Sequence, residues 1–158
     1  MAETRSRYAD RIESLAADAR AARDRLDPPR DAGEIQSTDA TDGPESAPDV
    51  SRYAGIELAG SEVSDPEEAA LVAARDGLGP VVGAYVEART AEEPVWLSGR
   101  ELDRLHGATS DWLAVYARCR GVDADPDVTV REAAELLIDT HDITDVAALL
   151  TGTHRDDP

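Results

Sequence analysis

The stretch Trp96–Gly121, WLSGRELDRLHGATSDWLAVYARCRG, holds both tryptophans, the only cysteine and the best helix-start signal in the chain. Ser98 and Glu101 have the spacing of a capping box, in which the serine oxygen accepts from the Glu101 amide and the Glu101 carboxylate accepts from the Ser98 amide. Leu97 and Leu102 stand at the two positions of a hydrophobic staple around that cap. Leu102 and Leu105 mark one apolar face, and Trp112, Leu113, Tyr116 and Cys119 continue helical spacing beyond His106-Gly107-Ala108-Thr109. That interruption, with Thr109 or Ser110 as a second cap and Gly121 as the stop, predicts helix, short turn, helix.

Working outward toward the N-terminus, Ser64-Asp65-Pro66-Glu67-Glu68 opens another helix, with a cap candidate, a proline in the first turn and acids at the positive helix end. Leu71, Ala74, Leu78, Val81 and Tyr85 keep helical spacing through Gly77-Leu78-Gly79-Pro80. Pro80 lacks an N–H and crowds the carbonyl four residues back, so a kink or break is expected near Asp76. On the other side, Thr129 and Glu132 form a second capping box, with Val128 and Ala133 at its staple positions. A helix follows to about Asp139, then a turn at Thr140–Asp142, then a last helix on Ile143, Val146, Ala147, Leu149 and Leu150 that ends at Gly152.

Residues 3–27 read as a separate amphipathic helix, with Tyr8, Ile12, Leu15, Ala19, Ala22 and Leu26 at heptad steps and Pro28-Pro29 as its stop. Such an arm either packs on its own domain or serves as a coiled-coil contact. Residues 28–63 read as an acidic linker too poor in apolar surface to offset its ordering entropy. One apolar island at 52–59 interrupts it, RYAGIELA, with Tyr53, Ile56 and Leu58. This island is expected to dock on the helical domain or to act as a linear motif.

The organisation predicted is all-α: the N-terminal helix over 1–27, a disordered linker over 28–63, a bundle of four to six short helices over 64–152 and a frayed tail over 153–158. Its core is expected from Val81, Val82, Tyr85, Leu102, Leu105, Trp112, Leu113, Tyr116, Leu136, Leu137, Val146 and Leu150, packed around the indoles.

The formal charge is −18, with sixteen Arg and no Lys, Asn or Phe. Absence of residues with AT-rich codons, together with strong acidity, resembles the proteins of salt-in haloarchaea. The physical reading stands beside that resemblance. Eighteen excess negative charges repel one another in a compact chain, and salt near 1 M shortens the Debye length to about 3 Å and quenches the repulsion. A single Cys permits no internal disulfide and suits a reducing compartment. No apolar run approaches a membrane span of about 20 residues, and the N-terminus lacks a signal peptide's apolar core. A cytoplasmic protein is expected.

Chemistry-bearing patterns are weak. ELDRLHGATSDWLAVYAR resembles a helix-turn-helix consensus in its Glu-Leu opening, Gly107, Thr109 and Leu113, and departs from it at His106. The resemblance implies a reading helix over 110–120 with Arg118 and Arg120 as DNA contacts. The pair over 129–150 resembles it too, but Asp142 and Asp145 would face phosphates, so nucleic acid is disfavoured. DADPD at 123–127 begins like a calcium loop and then lacks its glycine and its final glutamate. His106 ahead of His141-Asp142 resembles the order of an HD metal hydrolase, yet His141 falls in a turn, where an exposed or capping histidine is expected. No catalytic, cofactor or metal residues are assigned. The function expected is a non-catalytic interaction or adaptor module. It would bind a protein partner or a second copy through Tyr8, Ile12, Leu15 and Leu26 of the N-terminal helix and Tyr53, Ile56 and Leu58 of the island. The competing expectation is the helix-turn-helix regulator over 98–121.

Overall fold

A computed structural model of the chain describes residues 6–26, 56–93, 95–122 and 124–153. Among them the architecture is all-α with one small hairpin. Helix α1 spans Ala9–Leu26, strands β1 and β2 span Ile56–Leu58 and Ser61–Val63, and α2 spans Pro66–Val72. A π-helical segment, Ala73–Leu78, leads into α3, Gly79–Thr90. Helices α4 (Gly99–Cys119), α5 (Val130–Thr140) and α6 (Ile143–Thr151) complete it.

Helix α4 is the hub. It packs against α1, α2, the π segment, α3, α5 and α6. Six consecutive residues, Trp112 to Ala117, are buried on it, which is the signature of a helix enclosed on every side. Its start is the capping box expected: Ser98 Oγ accepts from Glu101 N at 3.1 Å, and Glu101 Oε1 accepts from Ser98 N at 3.0 Å. The turn expected at His106–Thr109 is absent. Ala108 and Thr109 are buried, and the Thr109 hydroxyl donates back to the Leu105 carbonyl at 2.8 Å instead of capping a new helix. A break there would strand backbone N–H and C=O groups inside the core, whereas one glycine in a helix interior costs only about 1 kcal/mol. Gly121, at φ +84°, closes the helix as expected, with Val122 N donating to the Ala117 carbonyl at 2.8 Å.

The kink expected near Asp76 is realised as the π segment. There the Gly79 N–H reaches the Ala74 carbonyl, an i→i+5 bond that widens the turn just ahead of Pro80. Each residue turns a helix by ~100°, so the extra residue shifts the apolar face. Leu71, the first residue of the helical spacing read from the sequence, is 42% exposed, and its neighbours Ala69, Ala70 and Val72 are buried. The segment also lets Gly77 touch the hub. A Cβ on Gly77 would lie 2.4 Å from Trp112 Cδ2, so the indole of Trp112 rests on the bare backbone.

The N-terminal helix takes one of the two placements its sequence leaves open, and the end of the linker moves. Helix α1 is not a free arm, because its apolar face lies along α4, with Tyr8, Ile12, Ala19, Ala22 and Leu26 all buried in the common core. Arg11–Glu87, Arg23–Asp111 and Glu13–Arg104 ion pairs flank that seam at 2.9, 3.0 and 3.4 Å. The linker expected to run to residue 63 ends sooner. Residues 56–63 form an antiparallel hairpin in register Ile56↔Val63, Glu57↔Glu62, Leu58↔Ser61. Ala59 and Gly60 have φ of +50° and +83°, the two left-handed positions of a type I′ turn. Leu58 and Val63 are buried, and the Arg25 guanidinium donates to the Glu57 carbonyl, tying the hairpin to the end of α1. The linker expectation for 28–55 lies outside the described residues.

Of the expected core, Val81, Val82, Tyr85, Leu105, Trp112, Leu113, Tyr116 and Val146 are buried, and Leu102, Leu136, Leu137 and Leu150 are partly buried against them. The second indole is a correction: Trp96 is 87% exposed. No helix among the described residues is long and apolar enough to cross a membrane.

Candidate functional site

Trp96 stands at the rim of a groove of about 340 Å³. Three elements converge on it. Tyr85 and Arg89 come from the last turns of α3, Leu102 and His106 from the first turns of α4, and Thr129 and Arg131 from the start of α5. Val95, Trp96 and Leu97 of the α3–α4 connection complete the wall.

Local bonds hold each part. The Val95 N–H donates to the Ala88 carbonyl at 2.9 Å, folding the connection back along α3, and Ser98 then locks its far end to α4. Between those two anchors Trp96 points to solvent while Val95 and Leu97 are half-buried. Arg89 is held over the Tyr85 ring, 5.6 Å from its centroid, a cation–π contact one helical turn apart. His106 Nδ1 accepts from Val130 N at 3.1 Å. A backbone N–H only donates, so Nδ1 carries the lone pair and Nε2 the hydrogen. Four residues on, Ser110 meets both the N–H and the carbonyl of Val128 at 3.4 Å. His106 and Ser110, read in the sequence as part of a turn and a cap, are thus the side chains that fasten the α5 entry to the hub. Arg131 pairs with Glu135 at 3.2 Å on the exposed face of α5.

The chemistry of the groove is unlike that of the rest of the chain. More than one residue in five is acidic, yet none of the described lining residues is, and two arginines are present. The nearby acids Glu92 and Glu93 line a different depression with Arg7.

The residues proposed from sequence lie elsewhere. Tyr8, Ile12, Leu26 and Leu58 are buried within the fold and Leu15 is partly buried, so they form intramolecular core and not an open contact face. Ile56 falls in β1, and Tyr53 lies outside the described residues. The helix-turn-helix over 98–121 is not formed, because those residues make one unbroken helix and its cap. Arg118 instead helps line a cavity of about 190 Å³ with Arg23, Leu26, Ala114, Val115 and Asp125, and Arg120 is exposed at the end of α4. Asp125, of the DADPD run, bonds Arg23 at 2.8 Å. That bond, with the one to Asp111, holds the guanidinium pKa above its usual value against the opposing cost of burial. His141 is exposed and caps α5 in the left-handed region at φ +60°. Burial pushes the Cys119 thiol up to about 12, partly opposed by the Arg118 charge, leaving it protonated and packed. Among the described residues no group of three or more His, Cys, Asp or Glu is placed to hold a metal ion.

Trp96 lies outside the core that was expected to gather both indoles. The available signal was position: a tryptophan two residues after Glu92-Glu93-Pro94, outside any helical periodicity.

The fold and this groove define a small all-α domain with an aromatic and basic surface site. Its sequence matches, over residues 46–155, the family described as a domain of unknown function, DUF8055. The match covers well over half of the chain, which belongs to that family. Neither the curated proteins nor the solved structures contain a match.

Proposed function

We propose that this protein is a non-catalytic interaction module working in the concentrated salt of a cytoplasm, and that the surface around Trp96 is its contact face. One observation carries the reading: an indole left 87% exposed in a chain whose other tryptophan is buried. Tryptophan, tyrosine and arginine are the residue types that dominate binding energy at protein interfaces, and Trp96, Tyr85, Arg89 and Arg131 bring all three together around one depression. The half-buried aliphatic residues Val95, Leu97 and Leu102 supply apolar surface beneath them. The contact face is placed here and not on the N-terminal helix, whose apolar stripe is buried against α4.

The test compares full-length protein with Trp96→Ala as baits in native-host extract at native salt. The reading expects at least one partner that is retained by the wild type and lost with the variant while both give the same circular dichroism. Identical retained sets would overturn it. The salt element has its own check: helical circular dichroism is expected to fall as KCl drops below roughly 0.5 M, where screening of the surface charge fades. An unchanged spectrum in dilute buffer would remove the salt adaptation from the reading.

A further inference from the structure

We infer that the occupant of the Trp96 groove is an acidic peptide segment of a partner protein, seating an apolar side chain against Trp96 and Leu97 while its carboxylates pair with Arg89 and Arg131. The inference rests on the interaction-module reading above and names the partner's chemistry.

Charge complementarity carries it. The chain has a formal charge of −18, yet the groove's charged lining among the described residues is two arginines. Arg89 has no carboxylate within ion-pair distance among the described residues, and the Tyr85 ring holds it in place. Its five donors therefore stand ready for an anion, and the planar fork fits a carboxylate bidentately. Arg131 is shared with Glu135 in an exposed pair, 73% and 61% open, of the kind worth little in water and readily exchanged for a better-placed partner. The His106 Nε2–H adds a neutral donor at the groove, since Nδ1 is committed to Val130.

Salt sharpens this. Near 1 M the Debye length is about 3 Å, so the acidic exterior repels an acidic partner weakly, while contact pairs inside the groove persist. Recognition then depends on direct Arg–carboxylate contact and on burying the indole. A bare anion offers only the first and an uncharged apolar segment only the second.

The experiment uses full-length protein in about 1 M KCl, with the screening that implies, and reads tryptophan emission. Trp112 is already buried and contributes a constant background, so a shift reports Trp96. The probe is the acetylated peptide Glu-Asp-Leu-Asp-Glu-Leu-Glu-Asp, set against its all-amide counterpart, inorganic phosphate and AMP. The expected result is a saturable blue shift with the acidic peptide, at least about tenfold weaker with the amide peptide and with Arg89→Ala, in keeping with the loss of one charge-assisted pair. Arg89→Lys should recover part of it, with the folded circular dichroism kept in both variants. Equal binding of the acidic and amide peptides overturns the inference. So does a shift produced by AMP or phosphate but not by the peptide, which would make this a nucleotide or phosphate site. The absence of any peptide shift up to about 1 mM overturns it as well. In each of those cases a Trp96-dependent partner retained from extract would leave the interaction-module reading standing, so the two fail separately.

Discussion

The two tryptophans stand in opposite environments. Trp112 is 2% exposed and Trp96 87%. The first sits mid-helix on the hub, enclosed by the π segment and stacked on the bare backbone of Gly77. The second rides an irregular connection pinned at both ends, by Val95 to Ala88 and by Ser98 to Glu101. The difference teaches that residue type alone does not place an indole. A helix with neighbours on every side must bury whatever it carries, whereas a short connection anchored by its backbone is free to leave its side chain outside.

Substitution at the buried position should have the largest effect. Trp112→Ala is expected to cost roughly 3–5 kcal/mol of stability, by the removal of a large core side chain, measured by denaturant unfolding in high salt. A wild-type midpoint would break the comparison at its strong end. Next comes the surface the indole rests on. Gly77→Ala places a methyl where 2.4 Å is available, and overpacking of this kind costs about 1–3 kcal/mol. Because the indole must shift, the variant's near-ultraviolet circular dichroism should change as well. Smaller again is Ser98→Ala, which removes half of the capping box and should cost about 1 kcal/mol. Since it loosens one anchor of the connection, it should also raise hydrogen exchange at the Glu101 amide. The smallest effect is expected at Trp96→Ala, within about 0.5 kcal/mol of the parent as for an ordinary surface site. Acrylamide quenching of the parent should remove one component of the emission efficiently and leave the Trp112 component largely intact. A destabilisation of Trp96→Ala comparable to that of Trp112→Ala would show that the connection depends on its indole.

What was legible in the sequence was local. Ser98 with Glu101 and Thr129 with Glu132 each announce a helix start within four residues, and both boxes form. The all-α class follows from such signals and from helical spacing. The continuity of α4 was not legible, because Gly107 and Thr109 look the same in a turn and in an enclosed helix; only the surrounding elements, distant in sequence, exclude the break. The π segment is of the same kind. Pro80 signals a disturbance, but the form it takes depends on Gly77 meeting Trp112 from another helix. The burial of the α1 stripe inside the chain was hidden for a related reason. The apolar stripe of α1 marks a buried face without saying whether the covering surface belongs to a partner or to this chain, and here α4 covers it. The Trp96 groove gathers residues 85–131 from three elements, so no motif could have displayed it.

Glu101 is 3% exposed, and its two carboxylate oxygens face separate parts of the chain: Oε1 receives the Ser98 N–H and Oε2 the Ser6 N–H, each at 3.0 Å. A single acceptor group, ninety-five positions from Ser6, thus buttons the polypeptide ahead of α1 to the connection carrying Trp96. Glutamine there would turn one of those oxygens into an NH2 pointed at another hydrogen, and one of the two seams would have to open.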